Sequence, residues 1–342
     1  MRKVLAVVLC LVLAAFVLTA CAQKPADDPA ESTPAESEEP APEESEAPAE
    51  EAGLVGILVP AAPTGWVAAV QYYAKLEADD LGLNYKIAAS ANPNEQANQV
   101  DEFISLGCEI IILFPHNDEL AVAAQKIMDN GITLINYDRT VNPTEPDYYV
   151  AGDNYDMGVK GAEYIADKLG GEGDVVIVGI PNYGDAVNGQ RIAGFKDTIA
   201  EVAPDINILG EYASENGAPE SGLAIMTDVL TANQHIDGVF SIDDELSIGL
   251  LQAINEANRD DIKVMTGGGG AQAYFDLMPE NPDIWLASAL YVPGMIRECV
   301  KMADGLQKGE TYEQTTIIAS QIIDRENVEA YVNENVDLEA PY

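Results

Sequence analysis

Histidine is nearly absent: the 342 residues contain two, His116 and His235. Neither lies near a cysteine or another histidine, so no metal-ligand spacing is present. Neither sits beside a nucleophile at a strand tip, which leaves a serine–histidine–acid site without support. Basic residues are scarce too, 17 against 58 acidic, for a net charge of −41. A surface of that sign repels phosphate backbones and anionic lipid headgroups, which excludes nucleic acid as a partner. The four cysteines are Cys10, Cys21, Cys108 and Cys299. The last two, before an apolar run and inside a helical pattern, read as buried free thiols rather than a disulfide.

The first 52 residues differ from the rest. Arg2 and Lys3 precede an apolar run over 4–17 that is short for a membrane span and flanked like a signal peptide. Leu18-Thr19-Ala20-Cys21 resembles the lipobox of bacterial lipoproteins. That resemblance implies a signal peptide over 1–20, cleavage before Cys21, and a lipid on Cys21; the alternative is an uncleaved membrane anchor. Residues 21–52 are rich in Pro, Ala, Ser and Glu and have no aromatic residue. Such a segment buries too little apolar surface to offset its ordering entropy, so a disordered tether is expected.

Residues 53–342, about 290 in all, point to two lobes rather than one core. Their 14 basic and 47 acidic residues leave a charge of about −33. Short apolar runs alternate with amphipathic ones. Strands are predicted over 54–60, 83–88, 109–114, 132–137 and 148–151, with helices over 66–81, 94–106 and 119–130 between them. After 151 the alternation restarts, with helices over 157–169, 188–202, 221–232 and 245–257 and strands over 174–179, 206–211, 238–242 and 262–266. A strand over 284–291, a helix over 293–308, an apolar run over 315–323 and a short helix over 327–333 complete the chain. Nearly all-apolar strands separated by helices specify parallel sheets covered on both faces.

In an open parallel sheet, ligands bind beyond the carboxyl ends of the strands. Three predicted strands end in polar or glycine-rich tips: Asp138-Arg139 after TLINY, Asp243-Asp244 after GVFSI, and the four glycines 267–270 after KVMT. A carboxylate accepts from two neighbouring hydroxyls, and a guanidinium donates in a planar fork. An acid beside a base at a strand tip therefore suits a hydroxyl-rich ligand. The adjacent charges are also expected to neutralise each other in part, with Arg139 lowering the Asp138 pKa. The four glycines lack the lysine of a phosphate loop and are predicted to form a turn beside the ligand. Asp244 is predicted to cap the following helix. His116 reads as an exposed loop residue, His235 as structural at the opposite end, and Trp285 as core.

These segments together resemble the type I periplasmic binding proteins for sugars, the ribose-binding branch. GILVPAAPTGWVAAVQYYAKLEADDLG is similar to that family's first strand, ligand loop and first helix. INYDRT is similar to its strand and Asp-Arg pair, RIAGF to its Arg-x-x-Gly-Phe helix segment, and VFSIDDELSIGLLQAI to its strand, Asn/Asp pair and helix. The resemblance implies an α/β fold of two doubly wound parallel-sheet lobes joined by a three-strand hinge, crossing near 151–153, 291–292 and 319–320. It assigns 53–152 plus 292–319 to one lobe and 153–291 plus 320–342 to the other. It places Asp138 and Arg139 on sugar hydroxyls from the first lobe, Arg191 and Asp243 opposite them, and Trp66 against a sugar face. Thr64, Phe114, Gly267, Gly268 and Tyr291 fall at or beside its ligand positions, and Asn188, one turn before Arg191, is placed to reach the cleft.

The chain departs from the ribose-binding pattern at several of these. It has Gly267-Gly268 for a Phe-Asp pair, Phe114 and Asp243 each for an Asn, and Tyr291 for a Gln. The missing side chains at the glycines predict room for a larger or substituted ligand. The resemblance implies an extracytoplasmic, lipid-anchored monomer that hands a sugar to an ABC importer permease, with no cofactor and no metal. Alternatives are a sensor component that presents ligand to a receptor kinase or chemoreceptor, and a binder of nucleosides or a furanosyl signal. A glycosidase using Asp138 and Asp243 is disfavoured by their clamp roles.

Overall fold

In a computed structural model, residues 53–63 and 65–334 are described. The signal peptide, the tether, Cys21, Thr64 and residues 335–342 lie outside them. The described residues belong to one compact unit, 51–342.

The first sheet is built from β1 (Val55–Pro60), β2 (Tyr85–Ser90), β3 (Ile110–Leu113), β4 (Thr133–Tyr137) and β5 (Tyr148–Gly152). Helices α1 (Gly65–Leu81), α2 (Pro93–Ser105) and α3 (Ala121–Asp129) connect them. β1 and β3 are buried along their whole length, as strands covered on both faces must be. α2 begins on Asn92, whose side chain accepts from the Glu95 N–H, with Pro93 at the first helical position. After α3, Gly131 takes the left-handed conformation (φ 73°) that closes the helix.

The chain then crosses and repeats the plan. α4 (Asn154–Leu169) leads to β6 (Glu172–Gly179), α5 (Gln190–Val202), β7 (Asp205–Ala213), α6 (Pro219–Ala232), β8 (Gly238–Ser241), α7 (Asp244–Glu256), β9 (Val264–Gly269), α8 (Gln272–Phe275) and β10 (Trp285–Leu290). It returns through α9 (Ile296–Gln307), which packs against α1, to β11 (Thr315–Ile318). A last crossing gives β12 (Ile322–Asp324) and α10 (Val328–Glu334). Strand orders are β11-β5-β4-β3-β1-β2 and β12-β10-β9-β8-β6-β7. All pairings are parallel except β10 with β12. The single apolar run over 315–323 is thus two strands in different sheets.

The order in which strands are added reverses at equivalent places, between β1 and β3 and between β6 and β8. These are the switch points where crevices open beyond the strand ends. Each sheet carries apolar clusters on its faces. Cys108 and Cys299 are buried and unpaired within them.

One sequence expectation fails in the second sheet. Residues 267–269 form no turn; they continue β9, with Gly267, Gly268 and Gly269 in register with Ser288, Ala289 and Leu290. The turn begins at Gly270 (φ 90°). The strand accepts glycine because neighbouring side chains occupy the space. A Cβ on Gly268 would lie 1.7 Å from Met157 Cε, and one on Gly267 would lie 2.3 Å from Asp244 Oδ1. The extra ligand room expected there is therefore filled from within the lobe.

Candidate functional site

The two sets of strand tips face one cleft of about 580 Å³, within the range of small-molecule sites. Trp66, Asp138 and Arg139 line it from the first lobe; Arg191, Asp243 and Gly268 line it from the second; Tyr291 lines it from the crossing between them.

Asp138 follows β4 with φ 61°, a left-handed conformation that Asp tolerates better than most residues. Its backbone is fixed on both sides. The Asp138 N–H donates to Val150 O (2.9 Å), and the Tyr149 hydroxyl donates to Asp138 O (2.7 Å). Buried Asn136 holds the turn by donating to Arg139 O (2.7 Å). The Tyr291 hydroxyl donates to Asp138 Oδ1 (2.6 Å), while Oδ2 has no protein donor among the described residues.

Arg139 does not pair with its neighbour. Its Nη1 donates to His116 O (3.0 Å) and more weakly to Pro115 O (3.5 Å), and its guanidinium lies 4.8 Å over the Phe114 ring. Burial pushes the Asp138 carboxyl up; the Tyr291 hydrogen bond and the Arg139 charge offset this only in part. The expectation that Arg139 holds the Asp138 pKa down is corrected accordingly, because the desolvation of the acid outweighs a guanidinium turned toward backbone carbonyls.

Trp66 donates from Nε1 to Tyr291 O (2.7 Å). Its ring is edge-on to Phe114 at 5.9 Å and parallel to Tyr137 at 6.3 Å. Phe114 is fully buried and does not line the cleft; it backs Trp66 and Arg139.

From the second lobe, Arg191 is 7% exposed. It donates from Nε to Asn154 Oδ1 (2.8 Å) and from Nη1 to Ile242 O (2.7 Å), and it lies 5.1 Å over the Tyr291 ring. Its Nη2 has no protein partner among the described residues. Asn188, a turn earlier, does not line the cleft: its Oδ1 accepts from the Ile180 N–H (2.7 Å) and fixes the end of β6. Gly267 also lies off the lining, whereas Gly268 and Gly269 are on it.

The helix cap falls to Asp243, which also lines the cleft, and not to Asp244 as predicted. Asp243 caps α7, its Oδ1 accepting from the Leu246 N–H (2.9 Å). Asp244 is buried, and its Oδ2 accepts from Gly270 N–H (2.7 Å), Ala271 N–H (2.9 Å) and Ser288 Oγ (2.7 Å). It pins the turn that ends β9. Burial pushes Asp243 up to about 7 and Asp244 to about 6, against the hydrogen bonds each accepts.

His116 is partly buried rather than exposed, with Nε2 against Ser90 Oγ (3.1 Å) and Ser90 O (2.9 Å). His235 sits at the far end of the second lobe beside Asp237 and Asp261. Trp285 is partly buried away from the cleft, between Lys168 and Arg325. Among the described residues no cluster of His, Cys, Asp and Glu is suited to hold a metal ion.

The cleft also contains residues the sequence reading passed over, chiefly Asn182, Tyr183, Val187 and Glu245. Asn182 and Tyr183 lie in the short turn just after β6, so the strand-tip rule applied to GIPNY would have found them. Val187 falls in the π-helical turn Asp185–Gly189, which no apolar periodicity announces.

Residues 55–311 match the family model of the periplasmic binding protein domain. The chain belongs to the periplasmic binding protein family. The ribose import binding protein of Escherichia coli K12 is 29% identical over 245 residues, which are 69% of this chain and 79% of that protein. That of Bacillus subtilis 168 is 24% identical over 92% of this chain and 96% of its own length. The xylitol-binding protein of Mycolicibacterium smegmatis is 26% identical over 76% and 73%. Among solved structures, a solute-binding protein of Actinobacillus succinogenes 130z with bound D-allose superposes with a TM-score of 0.71 at 20% identity, covering 82% of this chain and all of that one. One from Bacillus halodurans C-125 with bound myo-inositol gives 0.70 at 22% identity, covering 86% and 100%. The fold is that of a type I periplasmic binding protein. The relatives are binding proteins, and this periplasmic binding protein is not an enzyme.

Proposed function

We propose that this protein captures a sugar or sugar-like ligand in the interlobe cleft and delivers it to an ABC importer. In this reading it acts as a monomer held by a lipid on Cys21 at the outer face of the cytoplasmic membrane. The observation that carries the proposal is the convergence on one cleft of Asp138 and Arg139 from one lobe with Arg191 and Asp243 from the other, beside the Trp66 indole. Hydroxyls donate to the carboxylates and accept from the guanidinium, while indole covers an apolar sugar face. Relatives named for ribose and xylitol, and structures solved with D-allose and myo-inositol, support the ligand class.

Residues 53–152 plus 292–319 would move against 153–291 plus 320–342. Because both groups contact the ligand, it stabilises the closed form by its differential affinity for it. A thermal-shift screen of pentoses, hexoses, polyols, nucleosides and small oligosaccharides tests the proposal, since a ligand bound only to the native state raises the melting temperature. A shift with a free sugar, lost in Asp138→Ala, is expected. Silence across the sugars and polyols, with the protein shown free of co-purified ligand, would refute it.

A further inference from the structure

The cleft lining holds more carboxyl groups than a neutral sugar would call for. Asp138, Asp243 and Glu245 line it, against Arg139 and Arg191. Both guanidiniums are already engaged, Arg139 with the carbonyls of Pro115 and His116, and Arg191 with Asn154 and the Ile242 carbonyl. Neither forms an ion pair with a cleft carboxylate among the described residues. With all three acids ionised they outnumber the two bases by one; burial raises Asp243, so its carboxyl is the one a cationic ligand would ionise.

The surplus lies on the second-lobe wall. Asp243 uses Oδ1 for the helix cap and leaves Oδ2 without a donor among the described residues. Glu245, one residue into the same helix, has no hydrogen-bond or ion-pair partner among them. It reaches across the cleft mouth: a Cβ on Gly65, at the start of α1, would lie 3.9 Å from Glu245 Oε1. The charged and titratable groups that face Asp243 are Asp244 and Glu245 on its own helix, Arg191 on α5 and Tyr183 on the loop after β6. Three of these four add to or leave standing the negative charge. Asparagine caps a helix as well as aspartate does, so the cap alone does not call for a carboxylate at 243.

We propose, on the reading of the cleft as a sugar site, that Asp243 and Glu245 are specificity-determining residues that select a sugar or polyol bearing a protonated amine and exclude its uronate. An ammonium donates to both carboxylates and brings the cleft to neutrality. A uronate would set a like charge beside Asp243 and Glu245 on the second-lobe wall, which is rejection by repulsion.

The test is calorimetric titration of the whole chain with matched sets: glucose, glucosamine and glucuronate; galactose, galactosamine and galacturonate; mannose, mannosamine and mannuronate. The amino member of at least one set is expected to bind about tenfold or more tighter than its neutral counterpart, and no uronate to bind. Repeating the titration in buffers of different ionisation enthalpy should show proton release at pH 6.5 with the amino sugar only, since Asp243 is held near 7. Glu245→Gln should reduce the amine preference, and Asp243→Asn should remove it; Glu245 is exposed, so its variant folds. Neutral sugars that bind as well as or better than amino sugars, or a uronate that binds, would overturn charge selection and leave the sugar-cleft reading standing. Silence from all nine compounds would overturn the amine proposal and count against that reading as well.

Discussion

Arg191 ties together the start of α4, the end of β8 and the Tyr291 ring while lining the cleft. Removing it frees two acceptors and empties a buried charged position, so Arg191→Ala should destabilise the fold by about 1.5–3 kcal/mol for each charge-assisted bond that is not replaced. Arg191→Lys should not restore binding, because an ammonium cannot reproduce the planar fork that spans Asn154 and Ile242. Chemical denaturation and ligand titration measure the two effects. Asp243 gives a pH prediction. An acid whose pKa is raised in the folded state contributes stability that is complete below its unfolded pKa and is lost as pH rises to the folded value. For Asp243 that window runs from about 4 to about 7. Melting curves of the ligand-free protein should therefore show Asp243→Asn more stable than the parent at pH 8 and close to it near pH 4. The opposite ordering would mean that the carboxylate is stabilised where it lies. At this scale the sequence identified the charged tips but not their division of labour. Which of two adjacent acids caps a helix depends on which one the backbone leaves outside its first turn, and no residue pattern marks that.

At the scale of elements, the motif RIAGF has a packing explanation. A Cβ on Gly194 would sit 2.1 Å from Tyr155 O, and one on Gly158 would sit 2.0 Å from Arg191 O. These two glycines let α4 and α5 approach closely, while Phe195 stacks on Phe240 at 4.1 Å. The clash partners are backbone atoms that cannot swing aside. Gly194→Ala should thus cost about 1–3 kcal/mol by overpacking and weaken ligand binding by displacing Arg191. Thermal denaturation and titration of the variant check both; an unchanged melting temperature would show that the helices have room to separate. Gly268→Ala meets the mobile end of Met157 instead and should be milder. Nearly every strand and helix was legible from apolar periodicity, because buried parallel strands and amphipathic helices are written in residue spacing. The exceptions are informative. β9 runs on through three glycines because Asp244 and Met157 fill the space their side chains would take, a tertiary effect invisible in local propensity. The run over 315–323 divides between two sheets because the chain crosses there, and the apolar pattern does not change at the crossing.

For the whole molecule, three crossings join the sheets, and Tyr291 follows β10 at one of them. It donates to Asp138 on the first lobe, receives the Trp66 N–H at its carbonyl and lies under the Arg191 guanidinium. The crossing is therefore wired to both walls of the cleft, as closure around a ligand requires. Tyr291→Phe removes one hydroxyl, leaves the ring under Arg191, and should lower affinity while preserving the fold; circular dichroism and titration separate the two. The resemblance of tips and order to a known family made this architecture legible from sequence, whereas the charge balance of the cleft emerged only once Glu245 was seen to border it. The most direct test of a ligand gripped from both lobes is calorimetric titration of the sugar found by screening into the parent, Asp138→Ala and Arg191→Ala proteins. Each single change, on opposite lobes, is expected to weaken binding by at least about 30-fold, the loss of 2 kcal/mol or more for a buried charged partner. Undiminished affinity in either folded variant would show that the ligand is held by one lobe alone or at another place.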